Sequence, residues 1–218
     1  MDQNSLKEFT DPEYWNTRYS KNNAAAESYN WLCDFSTIEP FLTKHLPSAT
    51  MGPKIVQLGC GNSTLTKELY DLNYHGQISI DFSSVVINNM RMKHPDMDWR
   101  VMDVRHTEFD AESIDVAIDR ATLDALLYGS LWDPEDEVRA NVKAYVDEVA
   151  RILKPCGKWL YITWRQPHFL RPLLQRPDIW DLEVESLADQ PGGGGMFEYF
   201  GFLMVKHVQA KEKQLAGV

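Results

Sequence analysis

Two glycines in a short turn and a carboxylate twenty residues further on are the groups of this sequence best spaced to do chemistry. The run Lys54-Ile55-Val56-Gln57-Leu58-Gly59-Cys60-Gly61-Asn62-Ser63 reads as a strand entering a glycine turn, and Ile78-Ser79-Ile80-Asp81 as a second strand ending in an acid. Gly59 and Gly61 let the backbone approach a ligand closely, and Asn62 or Ser63 can cap the helix that follows. Asp81 stands twenty residues beyond Gly61. In a βαβ unit that interval brings the tip of the second strand beside the first, where a carboxylate accepts both hydroxyls of a ribose. The chemistry implied is recognition of a nucleoside-bearing cofactor.

What the turn lacks selects among such cofactors. A dinucleotide fingerprint wants a third glycine where Thr64 stands, and the Gly-Lys-Ser/Thr of a phosphate-binding loop occurs nowhere in the chain. S-adenosylmethionine, which has an adenosine and a sulfonium but no phosphate, suits a turn of this kind. Further polar groups fall at later strand ends: Asp103-Val104, where the carboxylate can accept the adenine amino group and the backbone meets the ring edge, and Asp119-Arg120. Each carboxylate taken alone also fits a solvated loop or a helix cap.

Those residues need elements to hold them. Leu65, Leu69 and Leu72 share a face of a helix over residues 63–72; Val86, Ile87 and Met90 do so over 83–94, which Pro95 ends. Strands are predicted at 98–102 and 114–119. Val138, Val142, Tyr145, Val146, Val149, Ile152 and Leu153 give the clearest amphipathic helix, over 134–153, closed by Pro155 and Gly157 before a strand at 158–164. The order predicts an α/β, Rossmann-like fold: a seven-stranded, mostly parallel sheet with helices on both faces. Its last two strands, 179–187 and 196–207, form an antiparallel edge pair joined through Gly192 to Gly195, a flexible hairpin connection. Residues 1–50 are an aromatic lead-in belonging to the same domain, 51–208 the main domain, and 209–218 a frayed tail.

With 218 residues, 44% of them hydrophobic and 11% aromatic, the chain can bury one full core and is short for two domains. No apolar run approaches the length of a membrane span, and Met1-Asp2-Gln3-Asn4-Ser5 carries no secretory pattern. Cys33, Cys60 and Cys156 have no metal-ligand spacing. A cytoplasmic, metal-free monomer is expected. The formal charge of −10 disfavours a nucleic-acid partner and is compatible with a basic protein.

The strings Tyr14-Trp15-x-x-Arg18-Tyr19, Tyr29-x-Trp31, Leu58-Gly59-Cys60-Gly61-Asn62-Ser63, Asp81-x-Ser83-Ser84-Val85-Val86, Met102-Asp103-Val104-Arg105, Thr122-Leu123-Asp124-Ala125-Leu126 and Pro167-His168-Phe169 together resemble the class I S-adenosylmethionine-dependent methyltransferases. Within them the chain resembles the elongation factor 1A lysine methyltransferase branch, the type associated with the endothelin-converting enzyme 2 locus and related to methyltransferase-like protein 13. The resemblance runs from about Tyr14 to His207. It implies that Trp15, Tyr19 and Tyr29 fold over the cofactor, with Gly59, Gly61, Asp81, Asp103, Val104 and Arg120 forming its bed. Aromatic faces attract a sulfonium and exclude water, which agrees with that placement. Tyr14, Trp15 and Tyr19 at helical spacing would equally pin an amphipathic lead-in helix to the domain. Where the family usually has lysine and glycine after the fourth strand, this chain has Arg120 and Ala121.

The implied reaction is methyl transfer to a lysine ε-amine of a protein, with elongation factor 1A as the expected partner. Asp119 and Asp124 are the candidates for an acidic mouth that binds the ammonium, with His168 and Phe169 lining the target channel. Asp124 could instead cap or pair within its helix, and His168 could be a satisfied loop histidine. No covalent residue is required. An Asn-Pro-Pro-Tyr sequence, typical of adenine and glutamine methyltransferases, is absent from the end of the fourth strand. The alternatives are a small-molecule O-, N- or S-methyltransferase and a non-catalytic cofactor-binding scaffold.

Overall fold

A computed structural model describes residues 6–21, 28–187 and 198–208. The elements are α1 (Pro12–Ser20), α2 (Phe35–His45), β1 (Ile55–Leu58), α3 (Leu65–Asp71), β2 (Gln77–Asp81), α4 (Ser84–Lys93), β3 (Asp98–Val101), β4 (Ile114–Arg120), α5 (Thr122–Leu126), α6 (Asp136–Ile152), β5 (Leu153–Thr163), α7 (Pro167–Leu174), β6 (Trp180–Ser186) and β7 (Phe200–Lys206). The seven strands lie in the order β3-β2-β1-β4-β5-β7-β6. β1 to β5 pair in parallel, and β7 runs antiparallel to both β5 and β6. The order reverses at β1 and β4, so a crevice opens at the carboxyl ends of those strands, as in other doubly wound sheets.

The period-two alternation of buried strands sorts the core into two layers. Val56, Leu58, Trp159 and Tyr161 pack with Tyr145, Val146 and Val149 of α6 on one face. Ile55, Val116, Ile118, Leu160 and Ile162 pack with Ile38, Phe41 and Leu42 of α2 and Leu65 and Leu69 of α3 on the other. A third cluster joins Trp15 and Tyr19 of α1 to Val86, Ile87 and Met90 of α4 and to Trp99 of β3. That contact fastens the lead-in beside the sheet's carboxyl edge.

The structure differs from the sequence expectation in three places. β5 begins at Leu153 rather than Lys158, because Ile114 pairs with Leu153 and Val116 with Lys158. The residues between are a bulge in which Cys156 adopts a φ of 62°. The first fifty residues contain the regular helix α2, and a further helix, α7, follows Pro167; each has a proline inside it, Pro40 and Pro172. The Gly192 to Gly195 connection and the tail at 209–218 lie outside the described residues. Among the described residues no helix is long and apolar enough to cross a membrane.

Candidate cofactor and methyl-transfer site

β1 ends in a turn that accepts only glycine at two positions. Gly59 has φ +65°, and a Cβ there would meet Thr122 Cγ2 at 2.6 Å. Gly61 has φ +51°, and a Cβ would meet the Tyr19 hydroxyl at 2.8 Å. Behind the turn, the buried Asp81 carboxylate accepts the Gly61 amide at 3.0 Å on Oδ2 and the Ser83 amide at 2.9 Å on Oδ1. A carboxylate has about four lone-pair sites, so roughly two are left for a ligand. That is the capacity the two hydroxyls of a ribose require. Burial pushes the Asp81 carboxyl up to about 6, against the lowering effect of the Ser83 and Gly61 amides.

The lead-in covers this turn. Trp15 and Tyr19 stack with ring centroids 5.8 Å apart, and the Trp15 indole donates to the Phe9 carbonyl at 2.8 Å. The Arg18 guanidinium lies over Trp15, Tyr29 and Trp31 at 5.9, 5.6 and 5.3 Å. The aromatic faces expected to meet a sulfonium thus hold Arg18, which makes no ion pair among the described residues. A cavity cation without a carboxylate partner suits an anionic group of the ligand. Asn30 closes the strap. Its Oδ1 accepts from the Thr64 amide at 3.2 Å, the Thr64 hydroxyl at 3.0 Å and Arg120 Nη2 at 2.9 Å. At the start of α3, therefore, a side chain from thirty-four residues upstream satisfies the Thr64 amide, while Ser63 Oγ accepts from the Leu65 amide at 3.0 Å.

One cavity of about 580 Å³ gathers all nine residues expected to bed or cover the cofactor, together with Asp124, Trp164 and Arg165. Asp103 and Val104 line it, but Arg105 occupies much of the Asp103 carboxylate, with an ion pair at 2.6 Å. Partial burial raises the Asp103 carboxyl, and Arg105 more than reverses this, leaving it below the usual carboxylate range. Arg120 is a bracket as well as a wall: it donates to Asn30, to the Cys33 carbonyl at 3.3 Å and to Ser63 Oγ.

The acidic mouth is not what the carboxylates build. Strand alternation turns Asp119 away from the cavity toward α6, where it accepts from Tyr145 at 2.8 Å and from the Thr122 and Leu123 amides at 2.7 and 3.1 Å. It caps α5. Asp124 does line the cavity, but Tyr161 Oη (2.7 Å), Thr163 Oγ1 (2.8 Å) and Arg165 Nε (3.1 Å) all donate to it. Burial raises its carboxyl above the usual range, and Arg165, Tyr161 and Thr163 oppose the rise. His168 and Phe169 lie outside the cavity, at the start of α7 against Trp132. Sequence reasoning passed over Asn30, Trp164 and Arg165; Asn30 sits inside the Tyr29-x-Trp31 string, and Arg165 directly follows the fifth strand.

Residues 56–161 match a family described as "Methyltransferase domain". Over 214 residues, 95% of this chain and 80% of the relative, the sequence is 33% identical to EEF1A lysine methyltransferase 4 of Bos taurus. The chain belongs to the EEF1A lysine methyltransferase family. Human eEF1A lysine and N-terminal methyltransferase is 32% identical over 85% of this chain, which spans 26% of that longer protein. Among solved structures, a TehB-like SAM-dependent methyltransferase from Corynebacterium glutamicum superposes with a TM-score of 0.59 at 19% identity, covering 89% of this chain and 97% of that one, a likeness of fold. As a member of this methyltransferase family, the chain takes S-adenosyl-L-methionine as its cofactor. The residues present fit it: the spare Asp81 lone pairs match its ribose, and Arg18, held over the Trp15, Tyr29 and Trp31 faces, matches its carboxylate.

Proposed function

We propose that this methyltransferase modifies a lysine ε-amine of a protein, and that the protein is translation elongation factor 1A. The observation that carries the reading is the acceptor end of the cavity. Asp81 and Asp103 fall on the β2 and β3 side, whereas Asp124, Trp164 and Arg165 fall beyond β4. There a half-exposed indole, Leu126 and Ala125 offer an apolar channel for an alkyl chain, ending at a carboxylate that Arg165 already neutralises. The named activity of the relatives supports lysine as the acceptor and elongation factor 1A as the protein.

When bound, S-adenosylmethionine would supply an electrophilic methyl group to a neutral amine, the methyl carbon–sulfur bond breaking to release S-adenosylhomocysteine and the product ammonium giving a proton to solvent. A free lysine, with a pKa near 10.4, is neutral in only on the order of a thousandth of molecules at pH 7. Apolar walls disfavour the ammonium by desolvation, and Arg165 cancels the attraction that Asp124 alone would offer it. The paired wall therefore offers the ammonium no net attraction, and the apolar lining favours the reactive amine over its conjugate acid. Trp15, Tyr19 and the Asn30 strap exclude water from the same space.

The test is incubation of the protein with tritiated S-adenosylmethionine and elongation factor 1A, followed by mass spectrometry of the labelled chain. Label on a lysine that is lost in Asp81→Ala is the expected result. Absence of label, with cofactor binding demonstrated, overturns elongation factor 1A as acceptor.

A further inference from the structure

Just outside the wall made by Asp124, Trp164 and Arg165 lies an aromatic surface that cofactor binding does not use. Trp132 is 81% exposed. Its ring meets Phe169 edge-on at 4.9 Å and His168 at 5.8 Å, and the His168 and Phe169 rings are 4.0 Å apart. Two segments carry these rings: the connection from α5 to α6, and the first turn of α7. Arg165 pins both beside the acceptor end, since it donates to the Leu127 carbonyl at 2.7 Å, where the connection begins, and precedes α7 by two residues. Isolated exposed aromatics are ordinary; the exposed Trp132 and His168 packed with the half-buried Phe169, on segments that Arg165 of the cavity wall ties together, mark a contact surface.

Acidic residues cluster after Trp132, while Arg139 and, three residues after His168, the exposed Arg171 are the cations on the same segments. Asp133, Glu135, Asp136 and Glu137 follow Trp132 directly and are all exposed. Arg139 pairs with Asp133 at 2.7 Å and Lys7 with Glu137 at 2.9 Å. Glu135 and Asp136 make no ion pair among the described residues. An exposed indole beside unpaired carboxylates attracts a cation through its π face and the surrounding field at once.

We infer that Trp132, His168 and Phe169, with Glu135 and Asp136, form a docking platform for the basic protein segment that carries the target lysine. A lysine or arginine neighbouring the target rests on the Trp132 face while the target side chain passes Trp164 into the cavity. This rests on the lysine reading above and adds the surface that selects the segment.

The experiment compares wild type, Trp132→Ala, Trp132→Phe and Glu135→Gln/Asp136→Asn. It measures elongation factor 1A binding to the S-adenosylhomocysteine-loaded enzyme, steady-state methylation, and S-adenosylhomocysteine affinity. Trp132→Ala is expected to raise the Kd and KM for the protein about five- to tenfold, with kcat and S-adenosylhomocysteine affinity unchanged, and Trp132→Phe to retain most of the binding. The double acid variant is expected to bind with a shallower salt dependence. Unchanged Kd and KM in Trp132→Ala with active wild type overturns the platform alone. Binding that depends on Trp132 without lysine transfer overturns the acceptor reading and leaves the platform standing. Wild-type protein that neither binds nor modifies elongation factor 1A overturns both.

Discussion

Lowering the pH from 8 to 5 is expected to weaken cofactor binding by about tenfold through Asp81. Its carboxyl lies at about 6 because burial penalises the charge, while the Ser83 and Gly61 amides hold one site on each oxygen. The ionised form offers the remaining sites to two ribose hydroxyls; protonation turns one of these acceptors into a donor facing a donor. With a pKa about 6, only roughly one carboxylate in eleven is ionised at pH 5, which corresponds to about 1.4 kcal/mol of lost affinity per pH unit below the midpoint. The sign for the free protein is the reverse. A carboxyl raised above its unfolded value of 3.8 contributes stability that is present at low pH and lost as pH rises through about 6. Binding should then expel about half a proton at pH 6, about 0.9 at pH 5 and almost none at pH 8. Titration calorimetry with S-adenosylhomocysteine, in two buffers of different ionisation enthalpy, measures both the affinity and the proton count. Among the described residues no histidine lines the cavity, and the Asp81→Asn variant separates Asp81 from Asp124, whose buried carboxyl is also raised. Asp81→Asn should bind more weakly at every pH and lose the dependence. A wild-type affinity that stays flat between pH 8 and 5 would refute the assignment of Asp81 to the ribose.

Ala121 adopts φ +68° at the start of α5, a conformation that costs a non-glycine residue about 1–2 kcal/mol, partly offset by the greater unfolded-state freedom of glycine. Ala121→Gly should raise stability by about 0.5–1 kcal/mol, seen as a Tm increase of about 1–4 °C by calorimetry. Asn30→Ala removes the acceptor shared by Arg120 and Thr64; a stability loss of about 1–3 kcal/mol in urea, with faster S-adenosylhomocysteine dissociation, is expected. Arg165→Gln leaves the buried Asp124 charge without its cation and should cost about 3–5 kcal/mol, whereas Asp124→Asn/Arg165→Gln should recover much of that stability while kcat remains depressed. Equal instability of the single and double variants in chemical denaturation would count against the pair.

The parts of the site legible in the sequence are those set by local spacing. Gly59, Gly61 and Asp81 belong to one βαβ unit, so their separation along the chain carries their proximity in space, and the hydrophobic periods of β1, β2, α4 and α6 are uninterrupted. α2 and α7 each carry an internal proline, Pro40 and Pro172, that weakens a helical signal in sequence; in the fold, Phe41 and Leu42 of α2 and Leu170 and Leu174 of α7 bury against the sheet and outweigh the lost backbone bonds. The break at residues 154–157 looked like a helix stop because a bulge uses the same proline and glycine signals as a turn.

The electrical character of the acceptor end was illegible for a different reason. A carboxylate at a strand end is visible in sequence, but its charge in the fold depends on partners that arrive from other elements: Tyr145 of α6 reaches Asp119 from twenty-six residues away, and Tyr161, Thr163 and Arg165 reach Asp124 from thirty-seven to forty-one. These contacts reverse the role expected of the acids. An open acidic mouth would bind the lysine ammonium tightly and hold it in its unreactive form, so that tight binding would work against transfer. Arg165 cancels that attraction inside the channel, while Glu135 and Asp136 keep an attraction for cations outside it, beside Trp132. On the reading proposed above, separating the two places would let the protein recruit a basic segment through side chains that are not methylated and present the target lysine to a wall that favours its neutral amine.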